Sequence, residues 1–309
     1  MKELVSGIDI GGTNTVIGFV DAVGNCLFKT SIKTPGYDDP AVFVKDVAGI
    51  INDFFYRNED SCLAGIGIGA PNGNYYSGSI EFAPNLKWKG VVPLVKLFKK
   101  YFEVPVILTN DANAAAIGEM VYGNAKGMKN FIEITLGTGV GSGIVVDGNM
   151  VYGHDGFAGE IGHTIIFPGG RTCGCGRNGC LEAYCSAGGI VKTYMELLEK
   201  EGKKAEKEIT PFIISQLAGK GDKIAIRTYE YTGEVLGLGL SNSVAHTSPE
   251  AIFIFGGIAN AGEILFKPLR ESFEKNLLHI YKNKIKILPS GIKENDAAIL
   301  GAASLVWKQ

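Results

Sequence analysis

Several features are missing from this 309-residue chain, and each absence removes a class of reading. No apolar run approaches the ~18 residues of a membrane-spanning helix, and the opening MKELVSGID is too short and too polar for a signal peptide. Charge of one sign is lacking: the formal net charge is -2, which leaves no basic footprint for nucleic acid. No GxxxxGK[ST] phosphate loop is present, and the first glycine-rich stretch, GIDIGGT, does not have GxGxxG spacing, so neither a Walker loop nor a dinucleotide fingerprint opens the chain. No linker or low-complexity segment interrupts it. With 46% hydrophobic and 20% charged residues, the composition is that of a globular protein, long enough for two domains.

Glycine, by contrast, is abundant at 43 residues, about twice the usual share, which predicts tight turns and close backbone approaches to ligand. The densest cluster lies in DGFAGEIGHTIIFPGGRTCGCGRNGCLEAYC, residues 155 to 185. His163, Cys173, Cys175 and Cys180 form the ligand set of a closed tetrahedral zinc site, and the intervening glycines let the backbone bring four side chains onto one ion. A disulfide is the weaker reading, because Cys173 and Cys175 are too close in sequence to pair comfortably; a reduced loop with incidental cysteines is the bland one. Six cysteines with metal-like spacing point to a reducing cytoplasm. Four protein ligands leave no open position, so the ion is expected to be structural. It would hold Glu160 and Glu182 together with the free ring nitrogen of His163, groups suited to neighbouring sugar hydroxyls. Taken alone, the two glutamates read equally well as solvated loop carboxylates.

The pattern along the chain is α/β. VSGIDIGGTNTVIGFVDAVGNCLFKTSI reads as strand, glycine turn, strand, turn, strand. Helical spacing follows at 41 to 55, a buried strand in LAGIGIGAP, a short helix near 93 to 102, the strand VPVILTND and the helix ANAAAIGEMVYG. The order then restarts: NFIEITLGTGVGSGIVVDGNMVYG parallels the opening, GIDIGGT matching EITLGTG, which predicts an internal duplication. Helices are expected at 186 to 200, 210 to 218, 222 to 246 and 262 to 278, with strands in AIFIF and KIKILP and a last helix in DAAILGAASLVW that could return to the first lobe. The run EKEGKKAEKE at 199 to 208 reads as a solvated helix end and loop.

Two chemical roles remain. Asp9, Gly11, Gly12, Thr13 and Asn14 place a carboxylate, bare amides and a hydroxyl after a strand, an anion-binding concavity in which Asp9 could hold magnesium through water. Thr138 and Gly139 form a second such loop and Gly256–Gly257 a third, which together suggest a nucleotide between two lobes. Asp111, after Asn110 at a strand-to-helix junction, is either a helix N-cap or a general base, with Asn110 donating to the substrate.

GIDIGGTN, GIGAPNG, APNLKW, NDANAAAIGE, ITLGTGVGSGIV and GEIGH…CGCGRNGCLE resemble the ROK family of sugar kinases and sugar-responsive repressors over nearly the whole chain. The resemblance implies a two-lobed actin/hexokinase-like fold, a duplicated ribonuclease H-like α/β architecture with a cleft between lobes. It implies an ATP-dependent hexose kinase acting on the 6-hydroxyl of glucose, with magnesium and structural zinc. N-acetylglucosamine or N-acetylmannosamine is the alternative substrate, and a sugar sensor without catalysis the alternative class. Asp111 would be the base; Asn85, Asn110, Glu160, His163 and Glu182 would contact the hexose; Asp9, Gly11, Gly12, Thr13, Asn14, Thr138 and Gly139 would surround the phosphates, and Gly256 and Gly257 the adenosine. The lobes are expected at 1–111 plus 296–309 and at 112–295, in a cytoplasmic homodimer. Repressor members carry a DNA-binding segment ahead of the first strand, for which no room is expected here. Asn72 departs from the pattern, glycine being frequent at that place, and the Tyr75–Tyr76 pair either covers sugar or packs.

Overall fold

The computed structural model describes residues 1–204 and 208–308, so part of the 199–208 charge run lies outside the described residues. Of the remainder of that run, residues 201–204 are exposed, following a helix that ends at Lys200. Contacts divide the chain into two units, the first comprising 1–128, 150–159 and 290–309, the second 129–149 and 160–289.

The first unit is built on a five-stranded sheet of β1 (Lys2–Ile10), β2 (Thr15–Val20), β3 (Cys26–Ile32), β4 (Ser61–Ala70) and a fifth strand, Val106–Asn110. Between β3 and β4 runs α1 (Pro40–Arg57), capped by Asp39, whose side chain accepts from the Ala41 N–H. After β4 come the short strands β5 (Gly73–Asn74), β6 (Ser79–Glu81) and β7 (Val91–Val92), which form a small sheet of their own, and then α2 (Leu94–Phe98). The fifth strand of the main sheet is β8, and α3 (Asp111–Tyr122) starts directly from its end. The strand order is β3-β2-β1-β4-β8, with β1, β4 and β8 parallel.

The second unit repeats this plan with β9 (Phe131–Leu136), β10 (Val140–Val146) and β11 (Asn149–Met150). The helices α4 (Glu182–Cys185), α5 (Ala187–Lys200), α6 (Pro211–Gly219) and α7 (Lys223–Thr247) follow, then β12 (Ala251–Phe255), α8 (Glu263–Asn276) and β13 (Lys286–Pro289). Its strand order, β11-β10-β9-β12-β13, matches the first sheet position by position, and β9, β12 and β13 are again parallel. The duplication expected from the repeated strand–turn–strand pattern is therefore present in the sheet topology. The last helix, α9 (Glu294–Trp307), belongs to the first unit.

Alternation along β1 explains how that unit is layered. Leu4, Ile8 and Ile10 join the core beneath α1, with Phe43, Val47 and Ile51. Val5, on the opposite face, packs with Ile299 and Ala303 of α9. On this second face stand Gly7 and Gly67, and a Cβ on either would lie within 2.4 Å and 1.9 Å of the Ile299 and Ala302 carbonyl oxygens. The backbone of α9 thus rests directly on the sheet. Gly67→Ala is expected to cost about 3 kcal/mol or more, because two backbones must separate. Gly49→Ala, at an open position of α1, is expected to stabilise by roughly 0.5–1 kcal/mol. Urea unfolding of the two variants checks both signs.

The contact-defined units differ from the expected division at 111/112 and 295/296. Helix α3 stays in the first unit because it crosses α9 closely, Gly118 meeting Gly301 where a Cβ would be 2.9 Å from its Cα. The segment 150–159 joins the same unit through Asn74, whose Nδ2 donates to the Asp155 carbonyl (2.7 Å), and through Tyr152, stacked on Tyr75. Among the described residues no helix is long and apolar enough to cross a membrane.

Candidate functional site

In the first unit the predicted residues gather at the carboxyl ends of the parallel strands. Asp9 of β1 pairs in register with Gly69 of β4, and Gly69 with Thr109 of β8, so Asp9 and the Asn110–Asp111 junction lie on one edge of the sheet. Gly69 leaves the space between them bare, a Cβ there lying 3.6 Å from the Asp111 Cα and 3.9 Å from Asp9 Oδ1. Residues 11–14 close a turn in which the Gly11 N–H donates to the Asn14 carbonyl (2.9 Å). The turn packs on Asn85, whose carbonyl oxygen would be 2.8 Å from a Cβ on Gly12. Thr13 and Asn14 are exposed, while Thr15 is buried and bonded to Thr34 (2.9 Å). The strand ends thus present a carboxylate pair beside bare amides and a hydroxyl.

Geometry separates the two roles open for Asp111. The N-cap is Asn110, in extended conformation with its Oδ1 accepting from the Ala112 N–H (2.9 Å), and Asp111 is the first helical residue. Asn110 keeps its Nδ2 group for donation. Asp111 Oδ1 shares the same N–H (2.8 Å). Asp111 retains exposed surface, yet desolvation by the surrounding protein raises its carboxyl, outweighing the Ala112 N–H that lowers it. Asp9 is pushed up to about 7, first by burial and then by the charge of Asp111. Two carboxyls held above their ordinary range and within reach of one another's field are suited to proton transfer and to a cation.

The remaining features of the first unit are resolved by backbone conformation and packing. Asn72 has φ 51°, the left-handed region that glycine and asparagine tolerate, and its Nδ2 donates to the Glu81 carbonyl (2.9 Å). Its departure from the family pattern therefore keeps the turn. Tyr75 stacks on Tyr152 at 4.2 Å and 5°, and the Tyr76 hydroxyl donates to the Gly153 carbonyl, so both pack against the 150–159 segment.

In the second unit, the turn 137–139 follows β9 and Gly256–Gly257 follow the adjacent parallel strand β12. Gly256 takes φ 104°, and a Cβ there would lie 2.2 Å from the Leu136 carbonyl, so the two predicted loops are neighbours at the same sheet edge. Glu160 and His163 bracket a single helical turn: the His163 N–H donates to the Glu160 carbonyl (3.1 Å) and the Ile161 N–H to Ser142 Oγ (3.1 Å).

The four expected metal ligands converge. The donor atoms of His163, Cys173, Cys175 and Cys180 all lie within 4.8 Å of one another. Cys173 Sγ is 3.6 Å from His163 Nδ1, and Cys175 Sγ is 3.7 Å from Cys180 Sγ. A tetrahedral ion with bonds of about 2.3 Å to sulfur and 2.0–2.1 Å to nitrogen requires edges of roughly 3.5–3.8 Å, which these two distances match. Nδ1 faces the sulfurs, which leaves Nε2 for another partner. Arg177, not anticipated from sequence, supports the ligands: its guanidinium donates to the His163 carbonyl (2.8 Å), and its backbone N–H and then its side chain bring the Cys175 thiol down to about 6. A thiol lowered in this way is a readier metal ligand. Arg171, also missed, reaches the other way, bonding Glu196 (2.6 Å) and Thr193 (2.9 Å) of α5 and lying over the Tyr184 ring. Glu182 begins α4, and its Oε2 accepts from the Val140 N–H (3.0 Å).

The sequence profile of the ROK family matches residues 5–309. A glucokinase of Halalkalibacterium halodurans is 36% identical over 98% of this chain and 94% of its own length. A xylose repressor of Caldicellulosiruptor bescii is 30% identical over 98% of this chain but 77% of its own. Among solved structures, a ROK family glucokinase from Streptomyces griseus in complex with glucose and AMPPNP has a TM-score of 0.81 and 30% identity, covering 99% of this chain and 100% of that one.

Proposed function

The chain belongs to the ROK family, and we propose that it is an ATP-dependent glucose kinase that transfers the γ-phosphoryl group to the sugar 6-hydroxyl. The observation that carries this reading is the placement of Asp9 and Asp111 at the ends of β1 and β8, beside the glycine turn 11–14. Full-length likeness to glucokinases, one of them holding glucose and AMPPNP, supports the substrate pair.

In this mechanism Asp111 accepts the proton of the 6-hydroxyl as its oxygen bonds to the γ-phosphorus and the bond to ADP breaks. The carboxyl must be ionised for this, and its raised pKa places it closer to the operating pH, where a base is most effective. The Asn110 Nδ2 group, Asn85, Glu160, His163 through Nε2, and Glu182 are the proposed sugar ligands. Amides and hydroxyls of Gly11, Gly12, Thr13, Asn14, Thr138 and Gly139 hold the phosphates, with Gly256 and Gly257 beside the adenosine. Magnesium, held through water by Asp9, would supply charge neutralisation. Zinc, on His163, Cys173, Cys175 and Cys180, would supply rigidity to the sugar ligands, with no open coordination position. Thiolate ligands require a reducing compartment, in keeping with a cytoplasmic protein, and a homodimer is the proposed assembly.

A coupled ADP-release assay across glucose, mannose, N-acetylglucosamine and N-acetylmannosamine tests the assignment. The highest kcat/KM is expected with glucose. A higher value with an N-acetyl sugar would reassign the substrate, and no ADP release with any of them would move the protein to the sensor class.

A further inference from the structure

We propose that Glu182 is a positioning residue that ties the metal-binding knot to the phosphate-binding turn 137–139, so that nucleotide affinity depends on the same segment that holds the sugar ligands. The inference rests on the kinase reading and deepens it.

The turn has little to fix it from within. Its one internal bond joins the Gly137 N–H to the Gly139 carbonyl (3.0 Å), and two of its three residues are glycines, the costliest residues to order. It is gripped from outside at both ends. The Gly137 carbonyl accepts from the Ala187 N–H at the start of α5 (2.9 Å), and the Val140 N–H donates to Glu182 Oε2 (3.0 Å). Gly139 makes the second contact possible. Its backbone conformation suits any residue, but a Cβ would stand 2.6 Å from Glu182 Oε2.

Glu182 is in turn held by the knot. It lies two residues after Cys180, which is fully buried, and between them the Leu181 N–H donates to the Thr164 carbonyl (3.0 Å). Its second oxygen, Oε1, is 3.4 Å from Cys173 Sγ and 4.0 Å from His163 Nδ1. The two oxygens face the two segments separately, Oε2 toward the turn and Oε1 toward the metal ligands. One carboxylate thus serves both loops, and a charge-assisted hydrogen bond to a backbone amide is among the stronger restraints available.

Calorimetric titration of the metal-loaded full-length protein with magnesium AMPPNP, without sugar, tests this. Glu182→Ala is expected to weaken nucleotide binding about tenfold. Glu182→Gln, whose amide oxygen can still accept from Val140, is expected to stay within about threefold of wild type. Gly139→Ala leaves every metal ligand in place and pushes on the carboxylate, so it is expected to weaken binding by a similar factor, with no further loss when combined with Glu182→Ala. Wild-type affinity in both single variants, or fully additive losses in the double variant, overturns the proposal. A wild-type protein that fails to bind AMPPNP overturns the kinase reading instead.

Discussion

Asp111→Asn lowers kcat by roughly a thousandfold, the scale of losing a positioned general base, and leaves glucose affinity within about twofold. The amide is isosteric, its oxygen can still accept from the Ala112 N–H, and Asn110 rather than Asp111 caps the helix, so α3 keeps its start. The substitution also removes the charge that pushes on Asp9, so the variant should unfold no earlier than wild type. Steady-state ADP release and glucose titration of the same preparation separate the two effects; a near-normal rate refutes the assignment. In the parent protein, kcat should fall as pH drops, because desolvation holds the Asp111 carboxyl above its ordinary range and Asp9 takes up its proton at about 7. The same shift has an opposite sign for stability. Between about 4 and 7 the folded state holds protons that the unfolded chain has released, so the free protein loses stability as pH rises through that window, and Asp9→Asn should flatten the slope.

The second large effect concerns the metal. Cys175→Ser is expected to abolish zinc content, to lower Tm by roughly 5–10 °C and to weaken glucose binding about 10–100-fold. Cys175 is the exposed ligand, so its loss opens no cavity in the core, and the damage reports on coordination. Elemental analysis and glucose titration check it together. Unchanged metal and unchanged sugar affinity would show that the four donors converge without holding an ion that matters.

How much of this was legible beforehand follows from the range of the interactions. Strands and helices long enough to show a period were read correctly, down to the return of the last helix to the first unit. The small sheet of β5, β6 and β7 was not, since strands of two or three residues carry no alternation. The metal ligands were visible because their spacing is local. That α3 keeps its contacts with the first unit was not legible, because it packs on α9, some 180 residues later, through the unremarkable pair Gly118 and Gly301. Glu182 was read only as a sugar ligand, because its partner Val140 lies 42 residues earlier and offers a backbone N–H, which has no sequence signature. Arg171 and Arg177 stand inside the cysteine cluster, where a cation among thiols was itself a signal that second contacts existed.

The seating of α9 on the bare faces of Gly7 and Gly67 has a consequence for synthesis on the ribosome. The sheet that carries Asp9 and Asp111 emerges before the second unit, yet one of its faces waits for residues 294–307, which follow that unit in the chain. The second unit, complete by residue 289, is free to close earlier. The half made first is therefore the half finished last, and in the interval its apolar face, Val5 included, is what a chaperone would meet.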